Sequence, residues 1–273
     1  MPQLASDPAF DEKLRKLRNS YPVFRIDDAQ AAASGGTVRL AFRFTCGETT
    51  FAPTVDITGL RPDEAARTRT PTAQRLIRAL AIVEAFSYWK AFCSPVIEVA
   101  LPPADPAETA WWESFWPRAM GEFFYRNGID FTTPGFLCIS APPGLALAAE
   151  PAAPVPGSRA GAPPLVMFSG GKDSLALTYA IRDNATQATD FFVYNPTEGQ
   201  RNLAESLANG GRIIEVRRQV LPELLALNDS GRPNGHTPYS AALLQPASPP
   251  ARAADHPVPR TAHGRLPQDR ELQ

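Results

Sequence analysis

The chain has 273 residues, which is enough for one large domain or two modest ones. Lys and Arg total 27 against 28 Asp and Glu, so the net charge of −1 argues against a broad polyanion-binding surface and against nucleic acid as the main partner. A hydrophobic content of 44% with 20% charged residues is typical of a globular protein. No apolar run of membrane-spanning length and no signal-peptide pattern occurs, which predicts a cytoplasmic protein without a membrane partner.

The cysteines exclude two classes of small stabilised fold. Cys46, Cys93 and Cys138 are odd in number, widely spaced and not part of any CxxC pattern. A disulfide scaffold and a zinc ribbon both need closely spaced pairs. We therefore expect three reduced thiols.

The first 140 residues mix strand and helix patterns, which predicts an α+β domain over 1–140. Alternating apolar residues predict a strand at 38–44 and a partner strand at 51–57. Helical spacing predicts a helix from about Pro71 to Cys93, with Thr72 as a candidate N-cap. A short strand at 96–101 and a second helix from Glu108 to Asn127 follow.

Two aromatic segments of this part contain charged residues. Glu84 and Tyr88 are four residues apart and share a helix face, beside Trp89 and Lys90. We interpret this segment as an aromatic core stripe whose charges are solvated. Trp111, Trp112 and Trp116, together with 121–131, are interpreted as a second part of the core.

A Pro/Ala/Gly-rich segment separates this part from the next. Residues 141–164 contain seven prolines, three glycines and eight alanines and show no periodicity, which predicts a linker. From 165 to 244, strands at 165–168, 190–195 and 212–217 alternate with helices at 175–181, 198–208 and 221–227. This alternation predicts an α/β domain with a parallel, doubly wound sheet. Three strands are too few for such a sheet, so we expect it to be incomplete at its C-terminal end.

The last 29 residues have a different composition. Residues 245–273 contain six prolines, four arginines and two histidines, His256 and His263, to which we assign no role. Such a segment cannot bury enough apolar surface to fold, which predicts a disordered tail. Because the change falls inside an apolar stretch, our hypothesis is that the natural C-terminal part is truncated or frameshifted here.

A glycine turn between a buried strand and a helix carries the strongest chemical signal, SGGKDS. Glycines let backbone N–H groups approach a ligand, and the start of the helix adds open donors and a positive dipole end. Lys172 supplies a charge for phosphate, and Asp173 suits a magnesium ion or orients the loop. The pattern is neither a Walker A loop nor a Rossmann GxGxxG turn. It predicts a cradle for a pyrophosphate-sized anion, formed by Ser169, Gly170, Gly171, Lys172, Asp173 and Ser174.

A second polar segment is GHTPYSA at 235–241. Gly235 and Pro238 favour a turn, and Thr237, Tyr239 and Ser240 offer hydroxyl groups. Histidine commonly transfers protons in enzymes, so His236 is the candidate for general acid or base by residue type and location. Taken alone, the segment is more typical of a surface turn that carries a solvated histidine.

These segments carry a family resemblance. SGGKDS after a hydrophobic strand resembles the PP-loop of the ATP pyrophosphatases, which split ATP between its α and β phosphates and activate a substrate as an adenylate. Together with 83–95, 121–131 and 235–241, it resembles the UDP-N-acetylmuramoyl-L-alanyl-L-glutamate epimerases, over about residues 20–244. The C-terminal end departs from this family, whose members continue beyond it.

The resemblance implies an ATP- and Mg²⁺-dependent epimerase of peptidoglycan precursor synthesis, built on a PP-loop fold. The substrate would be a UDP-linked muramoyl dipeptide, whose terminal L-Glu becomes D-Glu through an adenylated carboxylate. The site residues would be the six of SGGKDS, with Lys172 and Asp173 catalytic and Asp173 on Mg²⁺, together with His236. Residues 192–195, ending at Asn195, would border the adenine because ligands lie beyond strand ends in such sheets.

Two other interpretations stay open. One is a different PP-loop adenylating enzyme, such as an amidating or thiolating ligase. The absence of a cysteine pair at catalytic spacing and of a basic patch for tRNA argues against thiolation. The other is an inactive, truncated fragment that binds ATP. Nothing in the pattern specifies an oligomeric state.

Overall fold

A computed structural model of the chain describes residues 8–102, 106–145, 163–184 and 188–238. Most of the predicted linker and the whole predicted tail at 245–273 lie outside these residues. In chain order, the described part forms α1 (Pro8–Ser20), β1 (Val23–Ser34), β2 (Thr37–Cys46), β3 (Thr49–Phe51), β4 (Thr54–Thr58), α2 (Pro62–Ala66), a 3-10 turn (Arg67–Arg69), α3 (Pro71–Trp89), β5 (Val96–Val99), α4 (Pro106–Ala119), α5 (Gly121–Arg126), β6 (Cys138–Ser140), β7 (Leu165–Met167), α6 (Lys172–Asn184), β8 (Asp190–Tyr194), α7 (Glu198–Leu207), β9 (Ile213–Arg218) and α8 (Pro222–Asp229).

The nine strands described form one mixed sheet. Their order is β6-β5-β1-β2-β4-β9-β8-β7, and β3 pairs with β2. Strands β7, β8 and β9 are parallel, as are β1, β5 and β6. The pairs β1–β2, β2–β4 and β4–β9 are antiparallel. The α/β class predicted from the sequence is confirmed.

One edge of this sheet collects chain ends from both halves of the protein. Because β7, β8 and β9 are parallel, they all end there, at Met167, Tyr194 and Arg218. The antiparallel pairings place the end of β2 and the starts of β4, β1, β5 and β6 at the same edge. We call it the carboxyl edge, after the strands β7–β9.

Helix α3 covers the sheet over β1 and β2 and is buried along most of its length. Thr70 caps it, since its hydroxyl accepts a hydrogen bond from the Ala73 N–H at 3.3 Å. On one side Tyr88 packs against Phe51, with ring centroids 4.9 Å apart. On the other side Phe86 stacks on Trp116 of α4 at 3.8 Å. Most of the predicted aromatic residues therefore form the core between sheet and helices. Two do not, because Trp111 is 54% exposed and Tyr125 is 71% exposed.

Several predicted boundaries move in the structure. The N-cap of α3 is Thr70 and not Thr72, and the helix ends at Trp89, four residues before Cys93. The strand predicted at 51–57 is two strands, because Pro53 lacks the N–H that a continuous ladder needs. The second helix breaks at Met120, just after Pro117, into α4 and α5.

The antiparallel pair β4–β9 shows that the three parallel strands predicted at 165–217 belong to a larger sheet. Val55 of β4 is paired with Arg218, and Thr58 with Glu215, so the first half of the chain supplies the neighbour of β9. A polar contact supports the same junction. Arg212 donates to Glu64 of α2 at 2.6 Å and to Asp190 of β8 at 2.7 Å. Since the Glu64 side chain is fully buried, this contact fixes α2 to the parallel strands.

Gly59 offers a test of this junction. Its φ is +83°, and a Cβ atom there would overlap the carbonyl oxygen of Ile213 in β9. We expect Gly59→Ala to lower the free energy of unfolding by about 3 kcal/mol, through left-handed strain and displacement of β9. The control Gly35→Ala also has a positive φ, +57°, but nothing lies within 4 Å. Urea unfolding should show the smaller loss for the control, and equal losses would contradict the tight β4–β9 approach.

Candidate functional site

The turn between β7 and α6 holds the SGGKDS residues in a fixed conformation. Gly170 has a φ of +73°, a left-handed conformation that favours glycine. Ser174 is buried, and its hydroxyl donates to the carbonyl oxygen of Gly171 at 2.9 Å. This bond closes the first turn of α6. It also directs the Ser174 hydroxyl toward the protein backbone, whereas the sequence interpretation had it facing a ligand.

Helix α7 supports the turn from a second direction. The Gln200 side chain donates from Nε2 to the carbonyl oxygen of Ser169 at 2.8 Å. Gln200 is itself held by Thr197, whose N–H donates to Gln200 Oε1 at 2.9 Å in a capping box. The backbone of the turn is therefore ordered by protein contacts alone.

The charged residues of the motif are open to solvent. Lys172 and Asp173 occupy the first turn of α6, both exposed, and neither has an ion-pair partner in the described part of the chain. The first N–H groups of a helix have no intrahelical acceptor and lie at its positive dipole end. These groups fit the anion cradle predicted from the sequence: open amides, one free ammonium group and one free carboxylate.

Asn195 follows β8 at the carboxyl edge and uses its side chain to hold β9. Its Oδ1 accepts a hydrogen bond from the Arg218 N–H at 2.8 Å, and its Nδ2 donates to the Arg218 carbonyl oxygen at 3.2 Å. Its φ of +44° is left-handed, which asparagine tolerates. Of the predicted segment 192–195, Phe192 and Val193 are buried in the core. Only Tyr194 and Asn195 are left to face the edge.

Arg218 ends β9 and pairs with α3. Its Nε lies 2.7 and 2.8 Å from the two carboxylate oxygens of Glu84, and its Nη2 donates to the Ser87 hydroxyl at 2.9 Å. The Glu84 side chain is only 2% exposed. Burial raises the pKa of the Glu84 carboxyl, and the Arg218 guanidinium opposes that shift. The pair joins the two halves of the chain at the carboxyl edge.

Lys90 lies just past α3 and binds the second polar segment. Its ammonium group donates to Asn234 Oδ1 at 2.6 Å and to the Gly235 carbonyl oxygen at 3.0 Å. Lys90 is 8% exposed. Burial lowers the pKa of the Lys90 ammonium group, and the nearby Arg218 guanidinium lowers it further. The segments 83–95 and 235–241, which the sequence analysis treated separately, are therefore in direct contact.

Helix α5 completes the attachment of this segment. The His236 N–H donates to the Glu122 carboxylate at 2.6 Å, and Asn127 Nδ2 donates to the Asn234 carbonyl oxygen at 2.9 Å. A Cβ atom on Gly235 would lie 2.9 Å from both Glu122 Oε2 and Phe123 Cα, so only glycine fits. The backbone before the His236 side chain is thus fixed, and that side chain is exposed. Tyr239, Ser240 and Ala241 lie outside the described residues.

The structure places the predicted site residues along the carboxyl edge. The SGGKDS turn follows β7, Asn195 follows β8, and Arg218 ends β9 two strands from the turn, about 10 Å at ordinary strand spacing. His236 is attached through Glu122, and its neighbour Gly235 through Lys90.

Sequence reasoning missed the residues that connect these parts: Glu84, Lys90, Glu122, Arg218 and Asn234. Glu84 and Lys90 were interpreted as solvated charges, which is wrong, because both are buried against partners from the second half of the chain. The signal was the presence of two charges within an otherwise apolar helix face. A charge on such a face needs a buried partner, and its identity depends on the β4–β9 pairing.

No group of three or more His, Cys, Asp or Glu side chains in the described residues is arranged to hold a metal ion. None of the helices described is both long enough and apolar enough to cross a bilayer.

Comparison with known proteins then gives the family. Residues 15–246 match the MurL N-terminal domain, a span that includes both halves of the sheet and both polar segments. The chain belongs to the MurL N-terminal domain family. No solved structure matches it.

Two curated relatives are similar to this chain, and both are named UDP-N-acetyl-alpha-D-muramoyl-L-alanyl-L-glutamate epimerase. The one from Xanthomonas oryzae pv. oryzae is 29% identical over 226 residues, covering 82% of this chain and 47% of the relative. The one from Salinispora tropica is 30% identical over 173 residues, covering 63% of this chain and 35% of the relative. The matched region of this chain thus spans half or less of each relative's length.

The Glu84–Arg218 pair generates a stability prediction. Glu84→Gln leaves the Arg218 guanidinium buried without a countercharge, so we expect a loss of about 3 kcal/mol in the free energy of unfolding. The control Asp56→Asn removes a carboxylate from the more exposed Arg39–Asp56 pair on the same sheet, and its urea midpoint should barely move. Equal midpoints for the two variants would show that the Glu84 pair does not join the halves.

Proposed function

We propose that the protein takes part in ATP-dependent epimerisation of the terminal L-Glu of UDP-MurNAc-L-Ala-L-Glu, a step of peptidoglycan precursor synthesis. The observation that supports this most is the open SGGKDS turn at the same sheet edge as the clamped 234–236 segment. The printed names of the two relatives supply the substrate class.

ATP has a clear chemical purpose in such a reaction. The α-proton beside an ionised carboxylate is hard to remove, because the product carbanion would lie next to a negative charge. Transfer of AMP to that carboxylate removes the charge and makes the α-proton far more acidic. Removal on one face, return on the other and hydrolysis of the acyl adenylate give D-Glu, AMP and pyrophosphate.

The residues of the turn have distinct proposed roles. The open amides of α6 and the Lys172 ammonium group would bind the phosphate chain, since both present positive charge to it. Asp173 would hold Mg²⁺ together with phosphate oxygens, because Mg²⁺ takes one or two carboxylates and substrate phosphates. Ser169 would add a hydroxyl donor. Gly170 and Gly171 allow the close approach.

His236 is the proposed proton-transfer residue of the described part. Its imidazole is exposed. Its backbone N–H donates to Glu122, and Lys90 binds the backbone of the neighbouring Gly235. A fixed backbone with a free side chain suits a group that must meet a substrate proton at a defined place.

A direct test follows the α-proton. The full chain is incubated with UDP-MurNAc-L-Ala-L-Glu, ATP and Mg²⁺ in heavy water, and product glutamate is analysed for chirality and deuterium. We expect D-Glu with one solvent deuteron at the α-carbon and one AMP for each turnover. A ligase would form AMP without α-deuterium, which would contradict the proposal.

Because the matched relatives are longer than the region they share with this chain, a chimaera provides a second test of the proposed function. Residues 15–238 of this chain replace the matched region of the Xanthomonas relative, which then supplies the rest of that protein. Deuterium incorporation by the chimaera would support the proposal. A correctly folded chimaera without incorporation would overturn it.

Lys172 gives the matched mutational prediction. We expect Lys172→Ala to lower AMP formation by about 100-fold or more, because a charge aimed at the reacting phosphates is lost. Its unfolding midpoint should not change, since the side chain is exposed and unpaired. The control Tyr179→Ala alters another exposed residue of α6 and should keep full activity. If Lys172→Ala formed AMP at the control's rate, the turn would not be part of the active site.

A further inference from the structure

A cavity with a partly charged wall lies on the carboxyl edge, away from the glycine turn. It opens between the end of α1 and the segment 230–233 and has a volume of about 440 Å³. Lys13, Lys16, Tyr21, Asn127, Ser230 and Arg232 contribute to its wall. We call it the basic cavity.

The charge of this cavity is one-sided. Among the described residues, three of the lining side chains are cationic and none is a carboxylate. Glu12 pairs with Lys16 at 3.3 Å, and Asp229 precedes Ser230, but both lie outside the lining. The protein as a whole has a net charge of −1, so this concentration of positive charge is local. Such an imbalance favours an anionic ligand.

Arg232 is the most ordered of the three cations. Its Nη2 donates to the Tyr21 hydroxyl at 2.9 Å, and its guanidinium lies 4.7 Å from the centre of the Tyr21 ring and 5.4 Å from that of Phe92. Its Nη1 is buried and has no acceptor among the described residues. No carboxylate of those residues pairs with it either. A guanidinium that is held by aromatic rings and has no carboxylate partner among those residues keeps its full positive charge beside the cavity, which favours an anion there.

Lys13 approaches the same space from α1. Its ammonium group donates to the Gly231 carbonyl oxygen at 3.3 Å, which joins the two walls of the cavity. An ammonium group carries three donors, so this contact leaves two for a ligand. Lys13 and Arg232 therefore face one space from opposite walls.

The position of the cavity relates it to the proposed active site. Tyr21 lies two residues before β1, which is five strands from β7, so the cavity and the glycine turn are about 24 Å apart along the edge. Arg232 precedes His236 by four residues, which limits their separation to about 14 Å. Asn127 belongs to the cavity wall and also binds the backbone of Asn234.

We propose that the basic cavity binds the diphosphate of the UDP-linked substrate, as a site separate from the ATP turn. This inference rests on the proposed function. In that substrate a hexose, a lactyl group and an alanyl group separate the diphosphate from the glutamate. At about 3.5 Å for each extended unit, and somewhat more for the sugar, this spacer is comparable with the upper limit of about 14 Å on the separation of Arg232 and His236 along the chain. The unneutralised Arg232 guanidinium and the Lys13 ammonium group suit a diphosphate, because both place positive charge beside its oxygens.

UDP alone serves as the probe, and its dissociation constant is measured by calorimetry on the full chain at fixed ionic strength. We expect wild-type protein to bind UDP, and Lys13→Gln and Arg232→Gln each to weaken it about tenfold or more. Arg15→Gln is the matched control, because it removes the same charge from α1 at a residue outside the cavity. Lys172→Ala should leave UDP binding unchanged while weakening ADP. Unfolding midpoints identify any variant whose fold is altered. If Arg232→Gln is destabilised, the Lys13→Gln result still tests the site, because the Lys13 side chain is exposed.

The result that overturns the inference is UDP affinity equal in wild type and Lys13→Gln, or a loss of ADP affinity in Lys13→Gln instead. Both outcomes are independent of turnover. If the cavity variants weaken UDP while no α-deuterium is ever incorporated, the binding site stands and the proposed function fails. If deuterium is incorporated while the cavity variants bind UDP normally, the function stands and this site is wrong.

Discussion

The antiparallel pairing of β4 with β9 is the constraint on which the rest of the structure depends. It joins strands from two parts of the sequence, more than 150 residues apart, into one sheet. Because β9 is parallel to β7 and β8, the pairing also fixes which chain ends meet at the carboxyl edge. Without it, the SGGKDS turn and the segment held by Lys90 would have no defined relation. The glycine at position 59 allows β9 to pack closely, and the ion pair of Glu84 with Arg218 stabilises the same junction.

Buried polar contacts give the junction its specificity. Apolar packing alone would allow many ways of placing one half of the sheet against the other. A buried charge tolerates very few, because each wrong position leaves it without a partner. Arg212 with Glu64, Arg218 with Glu84, and Lys90 with Asn234 lie at three different places along the contact. Together they hold the candidate site residues in place. Of the three, only the contact of Lys90 with Asn234 lies next to the predicted segment 235–241.

The sequence predicted what depends on local pattern. The strand-turn-helix around SGGKDS, the strands β8 and β9, and the amphipathic α3 all follow from short-range periodicity and turn residues. Strand β1 was missed, since its second half reads AQAAAS and lacks the β-branched residues that mark a strand. The buried roles of Glu84 and Lys90 were missed because their partners come from the other half of the chain. Pairings over such separations are set by tertiary packing, which no single segment encodes.

One sheet edge thus carries two proposed anion sites and the fixed 234–236 segment. The most direct measurement is a crystal structure of the full chain with UDP-MurNAc-L-Ala-L-Glu and an ATP analogue whose α,β-bridging oxygen is replaced by methylene. We expect the UDP diphosphate beside Arg232 and Lys13, the triphosphate on the 169–174 turn, and the glutamyl end near His236. A UDP group on the opposite edge of the sheet, or a triphosphate in the basic cavity, would contradict this arrangement.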